Sequence, residues 1–227
     1  MDPTPERTRT LVSWSGGKDS SLALHRVLAD PSAHVDGLLT TVTDEYERIS
    51  MHGVRVALLE AQARALALPL RVARIPRGCT NDVYESVSRD ALAAYAAEGG
   101  RRVVFGDLFL EDVRAYRERL LAPLPLAPEF PLWGEDTHAL AHRFVALGFR
   151  AVLVCVDPRQ IDASLCGREY DETLLADLPP STDPCGENGE FHTFVHDGPI
   201  FRAPVEVTRG EVVERDGFVF CDLLPTT

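Results

Sequence analysis

At 227 residues, with 45% hydrophobic and 26% charged content, the chain can bury one sizeable core and carry a small appendage, which excludes a disordered composition. Its formal net charge of −12 weighs against a large nucleic-acid footprint, because phosphate backbones demand basic surface. No apolar run approaches the roughly 18–20 residues of a membrane span. The polar start Met1-Asp2-Pro3-Thr4-Pro5-Glu6-Arg7 lacks a signal-peptide apolar region, so a cytoplasmic protein without membrane contact is expected. Five widely spread cysteines (Cys79, Cys155, Cys166, Cys185, Cys221) with no C-x-x-C argue against a disulfide framework or a zinc ribbon.

Thr10 to Trp14 reads as a short buried strand running into Ser15-Gly16-Gly17-Lys18-Asp19-Ser20, and apolar spacing from Asp19 to about Leu28 predicts a helix. Val35–Val42 is a nearly continuous apolar strand and Val54–Leu68 a helix by propensity and period. Leu70–Ile75 is a third strand, followed by a helix capped by Thr80 or Asn81 that stops at Gly99-Gly100. Arg102–Phe105 is a fourth strand ending at Gly106-Asp107. Beyond it lie a helix over Glu111–Leu121, a proline-rich connection from Pro123 to Pro131, a helix over Asp136–Leu147 and a parallel-type strand over Ala151–Val156.

Strands alternating with helices predict an α/β fold, a doubly wound and mainly parallel sheet of Rossmann-like kind. After about Pro179 the texture changes. Phe191–Val195, Val205–Val207 and Phe218–Phe220 are short runs separated by turn residues, including Asp216-Gly217, which predicts a small antiparallel β-rich C-terminal appendage of hairpins.

The strand–glycine loop–helix arrangement carries the most chemistry. Glycines let the backbone approach an anion, whose charge the convergent N–H groups and the helix N-terminus favour. Ser13, Ser15 and Ser20 add hydroxyls, Lys18 a full charge, and Asp19 a carboxylate that can cap the helix or hold Mg²⁺. The spacing is neither G-x-x-x-x-G-K-[ST] nor G-x-G-x-x-G.

The hexapeptide at the end of the first strand resembles the PP-loop of the N-type ATP pyrophosphatases, the adenine nucleotide alpha-hydrolase-like superfamily. Four further stretches, in the same order along nearly the whole chain, resemble its diphthine–ammonia ligase branch. They are Ser50-Met51-His52-Gly53, Phe105 to Asp112, Leu165-Cys166-Gly167-Arg168, and Cys185 to Phe194. The sequence departs from the typical signature at Asn188-Gly189 and His192, which leaves the acceptor open. The resemblance implies a PP-loop ATP-binding α/β domain over 1–157 and a substrate-binding region with β hairpins over 158–227. It also implies ATP and Mg²⁺, with β and γ phosphates on the loop and a carboxylate acceptor (a small molecule or a protein side chain) attacking the α phosphate. Ammonia or an amine then displaces AMP to form an amide. A homodimer is compatible with this reading. Rival readings are another adenylating reaction, such as tRNA modification, and a nucleotide sensor without turnover.

On that template Ser13 to Ser20, including Gly16 and Gly17, would bind ATP together with backbone at Thr40, Thr41 and Thr43 and with Gly106 and Asp107. Asp107 faces nucleotide or metal, or else caps its loop; Asp19 and Asp107 are the expected Mg²⁺ ligands. Asp112 and Arg117 either border the acceptor or belong to a solvated ion-pair face with Glu111 and Arg114. His52 is a substrate contact or a loop histidine, and Arg168 a phosphate or carboxylate ligand or a structural arginine. Glu187, Asn188, Glu190 and His192 form the expected acceptor segment, with strand alternation placing Glu190, His192 and His196 on one face. Lys18, Asp19 and Glu190 are the residues assigned to catalysis, Glu190 or His192 serving as the base for the incoming amine.

Overall fold

The computed structural model describes residues 7–44, 48–49 and 53–226. The chain opens with β1 (Thr8–Ser13), α1 (Lys18–Ala29), β2 (Ala33–Thr43) and the two-residue β3 (Arg48–Ile49), then α2 (Val56–Leu66) and β4 (Leu70–Ile75). It continues through α3 (Asn81–Ala97), β5 (Arg102–Val104), α4 (Glu111–Leu121) and β6 (Ala127–Glu129). Five strands pair in parallel in the order β4-β2-β1-β5-β6, and β3 runs antiparallel beside the end of β2. Winding goes outward from β1 through β2 to β4, then resumes on the other side with β5 and β6. The switch point therefore lies between β1 and β5, where open α/β sheets form their ligand crevice.

Both faces of this sheet are covered, which is why its strands read as continuous apolar runs. Val12, Leu38 and Val104 pack with Leu24 of α1 and with Leu58 and Leu59 of α2. Leu11 and Val103 pack with Leu92 and Tyr95 of α3 and with Leu120 and Leu121 of α4. The Thr80 hydroxyl caps α3 by accepting from the Val83 N–H at 3.4 Å. β6 lies inside the stretch expected to be a proline-rich connection. Pro128 lacks a ladder donor, but β6 is an edge strand and tolerates it.

The remaining elements are α5 (Thr137–Ala146), β7 (Arg150–Val156), a 3-10 turn (Ala163–Leu165), α6 (Glu172–Asp177), β8 (Phe191–Asp197), β9 (Val207–Arg215) and β10 (Phe218–Pro225). They build a second sheet in the order β8-β7-β10-β9, antiparallel throughout. This corrects the reading of Ala151–Val156 as a parallel-type strand. β7 is central and its apolar residues are buried, so it carries the same unbroken hydrophobic pattern as a parallel strand. The Asp216-Gly217 turn between β9 and β10 has φ of 55° and 80°, the left-handed pair of a two-residue hairpin. One hydrophobic cluster runs from Val12 through Phe144 and Phe194 to Leu223, so the two sheets share a core.

α2 ends at Ala67, whose φ of 53° is left-handed although it bears a side chain. Its N–H still closes the helix onto Ala63 and Arg64 carbonyls. Left-handed backbone costs a non-glycine residue about 1–2 kcal/mol, and glycine gives back part of that gain as unfolded-chain entropy. Ala67→Gly is expected to raise stability by roughly 0.5–1 kcal/mol, read as a higher urea midpoint at unchanged slope.

Candidate active site

The loop after β1 turns on Gly16, whose φ is 76° and where an added Cβ would stand 2.8 Å from Gln62 Oε1 and 2.9 Å from Leu59 Cδ2. Gln62 of α2 is fully buried. It accepts from Trp14 Nε1 at 2.9 Å and donates to the Gly16 carbonyl at 3.0 Å and to the Val195 carbonyl at 2.6 Å. The Val195 N–H of β8 also donates to Gly16 O, at 2.9 Å. Thr193 Oγ1 accepts from the Lys18 N–H at 3.1 Å, and Ser15 Oγ from the Gly17 N–H at 3.2 Å. Ser20 Oγ and Ser21 Oγ both donate to Gly17 O, and the Ser15 and Ser20 hydroxyls lie 3.1 Å apart. Loop N–H groups thus rest on exchangeable hydroxyls, while the carbonyls are tied inward.

Lys18 is buried at 2% exposure. Its ammonium lies 2.8 Å from each oxygen of Asp19, donates to the Cys185 carbonyl, and stands 5.8 Å above the Phe191 ring. Burial works against its charge, but Asp19, with Cys185 and Glu187 adding, outweighs it and holds the Lys18 pKa above the ordinary lysine value. Asp19 occupies the first turn of α1 without capping it; Gly17 is the N-cap residue. Burial raises the Asp19 carboxyl, with Lys18 offsetting part of the rise.

Gly106 follows β5 and brings its backbone against α1, an added Cβ meeting Asp19 C and Ser20 N at 2.9 Å. Asp107 lies beside it, its carboxyl raised by burial and only weakly paired to Arg117 Nε at 3.5 Å. Arg117 stacks on the rings of Phe105 (5.1 Å) and Tyr116 (5.7 Å). From the second sheet's side, Glu187 Oε1 accepts from the Leu108 N–H at 2.8 Å. Burial, with Asp19 and Asp107 adding, pushes the Glu187 pKa up to about 7. Burial, with Lys18 adding, pulls His192 down to about 4, so its imidazole is neutral at neutral pH.

Ser13, Ser15, Gly17, Lys18, Asp19, Ser20, Thr40, Gly106 and Asp107 border a single cleft of about 840 Å³ at the switch point, together with Arg117, Glu187 and His192. Gly16 is turned toward Gln62 instead. Asp112 lies exposed on the first turn of α4, outside the lining, and Arg168 pairs with Asp177 at 2.7 Å, also outside it. Asn188, exposed, and Glu190, buried, both lie outside the lining. Glu190 Oε1 accepts from the Asp183 N–H at 3.0 Å and from Asn188 Nδ2 at 3.2 Å. His196 pairs with Glu169 at 3.2 Å rather than joining His192 at the cleft. The register of β7 with β8 shifts between Arg150 and Ala151, whose partners are Asp197 and Val195, so His196 is the extra, unpaired residue of β8 and the alternation that would have aligned it with His192 is broken. His52 and its motif residues Ser50 and Met51 lie outside the described residues.

Sequence reading missed Gln62 and Thr193. Gln62 had a signal: it lies four residues from both Leu58 and Leu66 on the apolar stripe of α2, where a glutamine is out of pattern.

A glycine loop that gathers backbone N–H groups, a lysine and carboxylates over a parallel switch point defines an α/β phosphate-loop protein. Residues 8–125 match the family model of the diphthamide synthase N-terminal domain and residues 136–223 that of its C-terminal domain. The chain belongs to the diphthamide synthase family. It is similar to the diphthine–ammonia ligase of Schizosaccharomyces pombe, 26% identical over 235 residues that cover 92% of this chain and 38% of the relative. The diphthine–ammonia ligases of Rattus norvegicus (24% over 228 residues) and Homo sapiens (25% over 229 residues) are each matched over 90% of this chain and 85% of their own length.

Two expectations follow. Glu190→Gln keeps the Oε1 acceptor, whereas Glu190→Ala leaves the Asp183 N–H bare, at a cost of about 1–3 kcal/mol. Hydrogen exchange across residues 183–189 is expected to rise about tenfold in Glu190→Ala and to stay at the wild-type rate in Glu190→Gln.

The second concerns pH. A carboxyl at about 7 in the folded state and at the ordinary 4.5 in the unfolded chain binds more protons folded than unfolded, so its contribution to stability falls as pH rises through that window. His192, lowered from 6.5 to about 4, acts in the opposite sense, its contribution rising between those values. Glu187→Gln retains the bond to Leu108 and removes the titrating carboxyl. Its melting temperature relative to wild type is expected to climb between pH 5 and pH 8.

Proposed function

We propose that the protein is an ATP-dependent, AMP-forming ligase that adenylates a carboxylate and joins it to ammonia or an amine. The observation that carries this reading is the Ser15–Ser20 loop at the switch point, with Lys18 and Asp107 beside it, in a chain matched by both diphthamide synthase models. The relatives' printed name, diphthine–ammonia ligase, supplies the reaction class.

The β and γ phosphates of ATP would replace the Ser15 and Thr193 hydroxyls as partners of the Gly17 and Lys18 N–H groups. Lys18 would exchange one of its three bonds for a phosphate oxygen. A carboxylate oxygen of the acceptor attacks the α phosphorus and the bond to pyrophosphate breaks. The amine nitrogen then attacks the acyl carbon, AMP leaves, and a proton is lost from nitrogen. Glu187 is the group at the cleft wall best matched to receive that proton near neutral pH. Region 158–227, which supplies Glu187 and His192, would serve the acceptor side.

Asp19 and Asp107 suit Mg²⁺. Their carboxyls are raised by burial and sit close enough to disturb Glu187, a crowding that a cation relieves. Among the described residues no set of three His, Cys, Asp or Glu side chains makes a self-sufficient metal site, so phosphate oxygens would complete the shell, as magnesium prefers. Magnesium would supply neutralisation of phosphate charge. No described helix is long and apolar enough to cross a membrane, and the five free cysteines suit the reducing cytoplasm where the reading places the enzyme.

The test is incubation with α-labelled ATP, ammonium and carboxylic acids, resolved by chromatography. AMP and pyrophosphate are expected, and ADP as the sole product would sink the reading. Lys18→Ala is expected to weaken ATP binding by about 1.5–3 kcal/mol, the worth of a charge-assisted contact, measured by calorimetry on protein whose circular dichroism is unchanged.

A further inference from the structure

The second sheet ends in a free edge. On one side β8 bonds the phosphate loop through the Val195 N–H. On the other, β9 pairs with β10 and with no further strand among the described residues. Edge strands are ordinarily kept from pairing with another chain by short length, proline or charge. The edge strand β6 of the first sheet follows that rule, with three residues and Pro128. β9 has nine residues and no proline, and it exposes Val212 (55%) and Val213 (43%) near its end.

The regular part of this edge covers residues 211–215. Cys221 pairs with Val212 and Leu223 with Arg209, so Gly210 and Glu211 both face Asp222 and a bulge interrupts the edge there. At the other end the Asp216-Gly217 turn closes on the pair Arg215–Phe218. The closing pair of a two-residue hairpin is hydrogen-bonded. Arg215 and Val213 therefore spend their backbone groups on β10, while Glu214 and Val212 turn theirs outward. Side chains alternate as well, with Glu211, Val213 and Arg215 on one face and Val212 and Glu214 on the other.

This edge is complementary to itself in one register. An antiparallel copy must set outward-bonding residues against each other, so a two-fold axis passes through a residue and not between two. With the axis at Val213, that valine meets its own copy, Glu211 meets Arg215 in both directions, and Val212 meets Glu214. Moving the axis to Val212 sets Glu211 against Val213 and carries Arg215 past the bulge, so no opposite charges meet. Moving it to Glu214 sets that carboxylate against its own copy, and like charges directly opposite are unfavourable. The charges are available for the pairing. Glu211 and Glu214 make no ion pair among the described residues. Arg215 has a 3.9 Å contact with Asp216 and lies 4.8 Å over the Phe220 ring.

We propose that two copies of this chain join through β9, antiparallel about Val213, so that their second sheets become one continuous sheet. The strand-to-strand contact is small, which puts the dimer in the micromolar range.

The experiment is sedimentation velocity on the full chain from about 1 to 100 µM, the span over which a micromolar equilibrium shows. The mass is expected to rise with concentration from 25.0 kDa toward twice that value. Val213→Lys sets two ammonium groups on the axis and is expected to stay monomeric throughout, with unchanged circular dichroism. Glu211→Arg and Arg215→Glu are each expected to weaken association at least about tenfold, since both symmetry-related pairs turn repulsive. The double reversal Glu211→Arg/Arg215→Glu is expected to restore it to within about threefold, a recovery that damage to the hairpin would not give. Val213→Cys is expected to form a cross-linked dimer on oxidation and Val212→Cys is not, because only the axis residue faces its own copy. A wild type that is monomeric at the highest concentration overturns the proposal. So does a dimer that Val213→Lys leaves intact, or a double reversal that associates no better than the single variants.

Discussion

The Gly16 carbonyl takes one hydrogen bond from the backbone of β8 and another from the side chain of α2, and the geometry of the phosphate loop depends on that pair. A loop that offers its N–H groups to an anion must turn its carbonyls inward, where each requires a donor. β1 and α1 supply none for Gly16. Gln62 and Val195 do, and Thr193 and Cys185 from the same C-terminal half hold the Lys18 N–H and ammonium. The second sheet is therefore no appendage in the energetic sense. Without it the loop would keep its glycines and lose the contacts that shape them.

The electrostatics follow from the same closure. Where the segment over residues 183–190 meets the loop, Lys18 is buried and Asp19, Asp107 and Glu187 keep only part of their contact with water. One buried lysine faces three carboxyls, and Arg117 reaches Asp107 only at 3.5 Å. All three carboxyls rise as a result. A cluster short of positive charge is unfavourable for the resting fold, and functional sites are where such imbalances collect. In the proposed reaction a magnesium-bound nucleotide would bring further anionic charge together with the cation, so the imbalance would favour the metal complex over the bare phosphate.

Much of the parallel sheet was legible because its signals are local. Strand–glycine–helix punctuation, the apolar runs over Leu70–Ile75 and Arg102–Val104, and the cap at Thr80 each act within a few residues. What escaped was set by distant partners. Ala151–Val156 has the hydrophobicity of any central strand, and only its pairing with β8 and β10 makes it antiparallel. The three-residue β6 is held by a neighbour and not by propensity. In the site, the loop and Asp107 could be read from motifs, whereas Gln62 entered through contacts 46 and 133 residues away in sequence. His196 left the cleft because a register irregularity in β8 broke a simple alternation.

Glu187 and Glu190 illustrate how far three residues can separate two identical side chains. Both carboxylates accept a backbone N–H, at 2.8 Å and 3.0 Å. Glu190 spends Oε1 inside its own segment, on Asp183 and Asn188, and does not border the cleft. Glu187 spends its acceptor on the Leu108 N–H beyond β5, and burial, with Asp19 and Asp107 adding, lifts its carboxyl to about 7 against the opposing pull of that bond. A carboxyl raised to about 7 is well placed to take up a proton near neutral pH. The glutamate that shapes the segment and the glutamate that can take a proton in the proposed amide-forming step are thus distinguished by what surrounds each carboxyl.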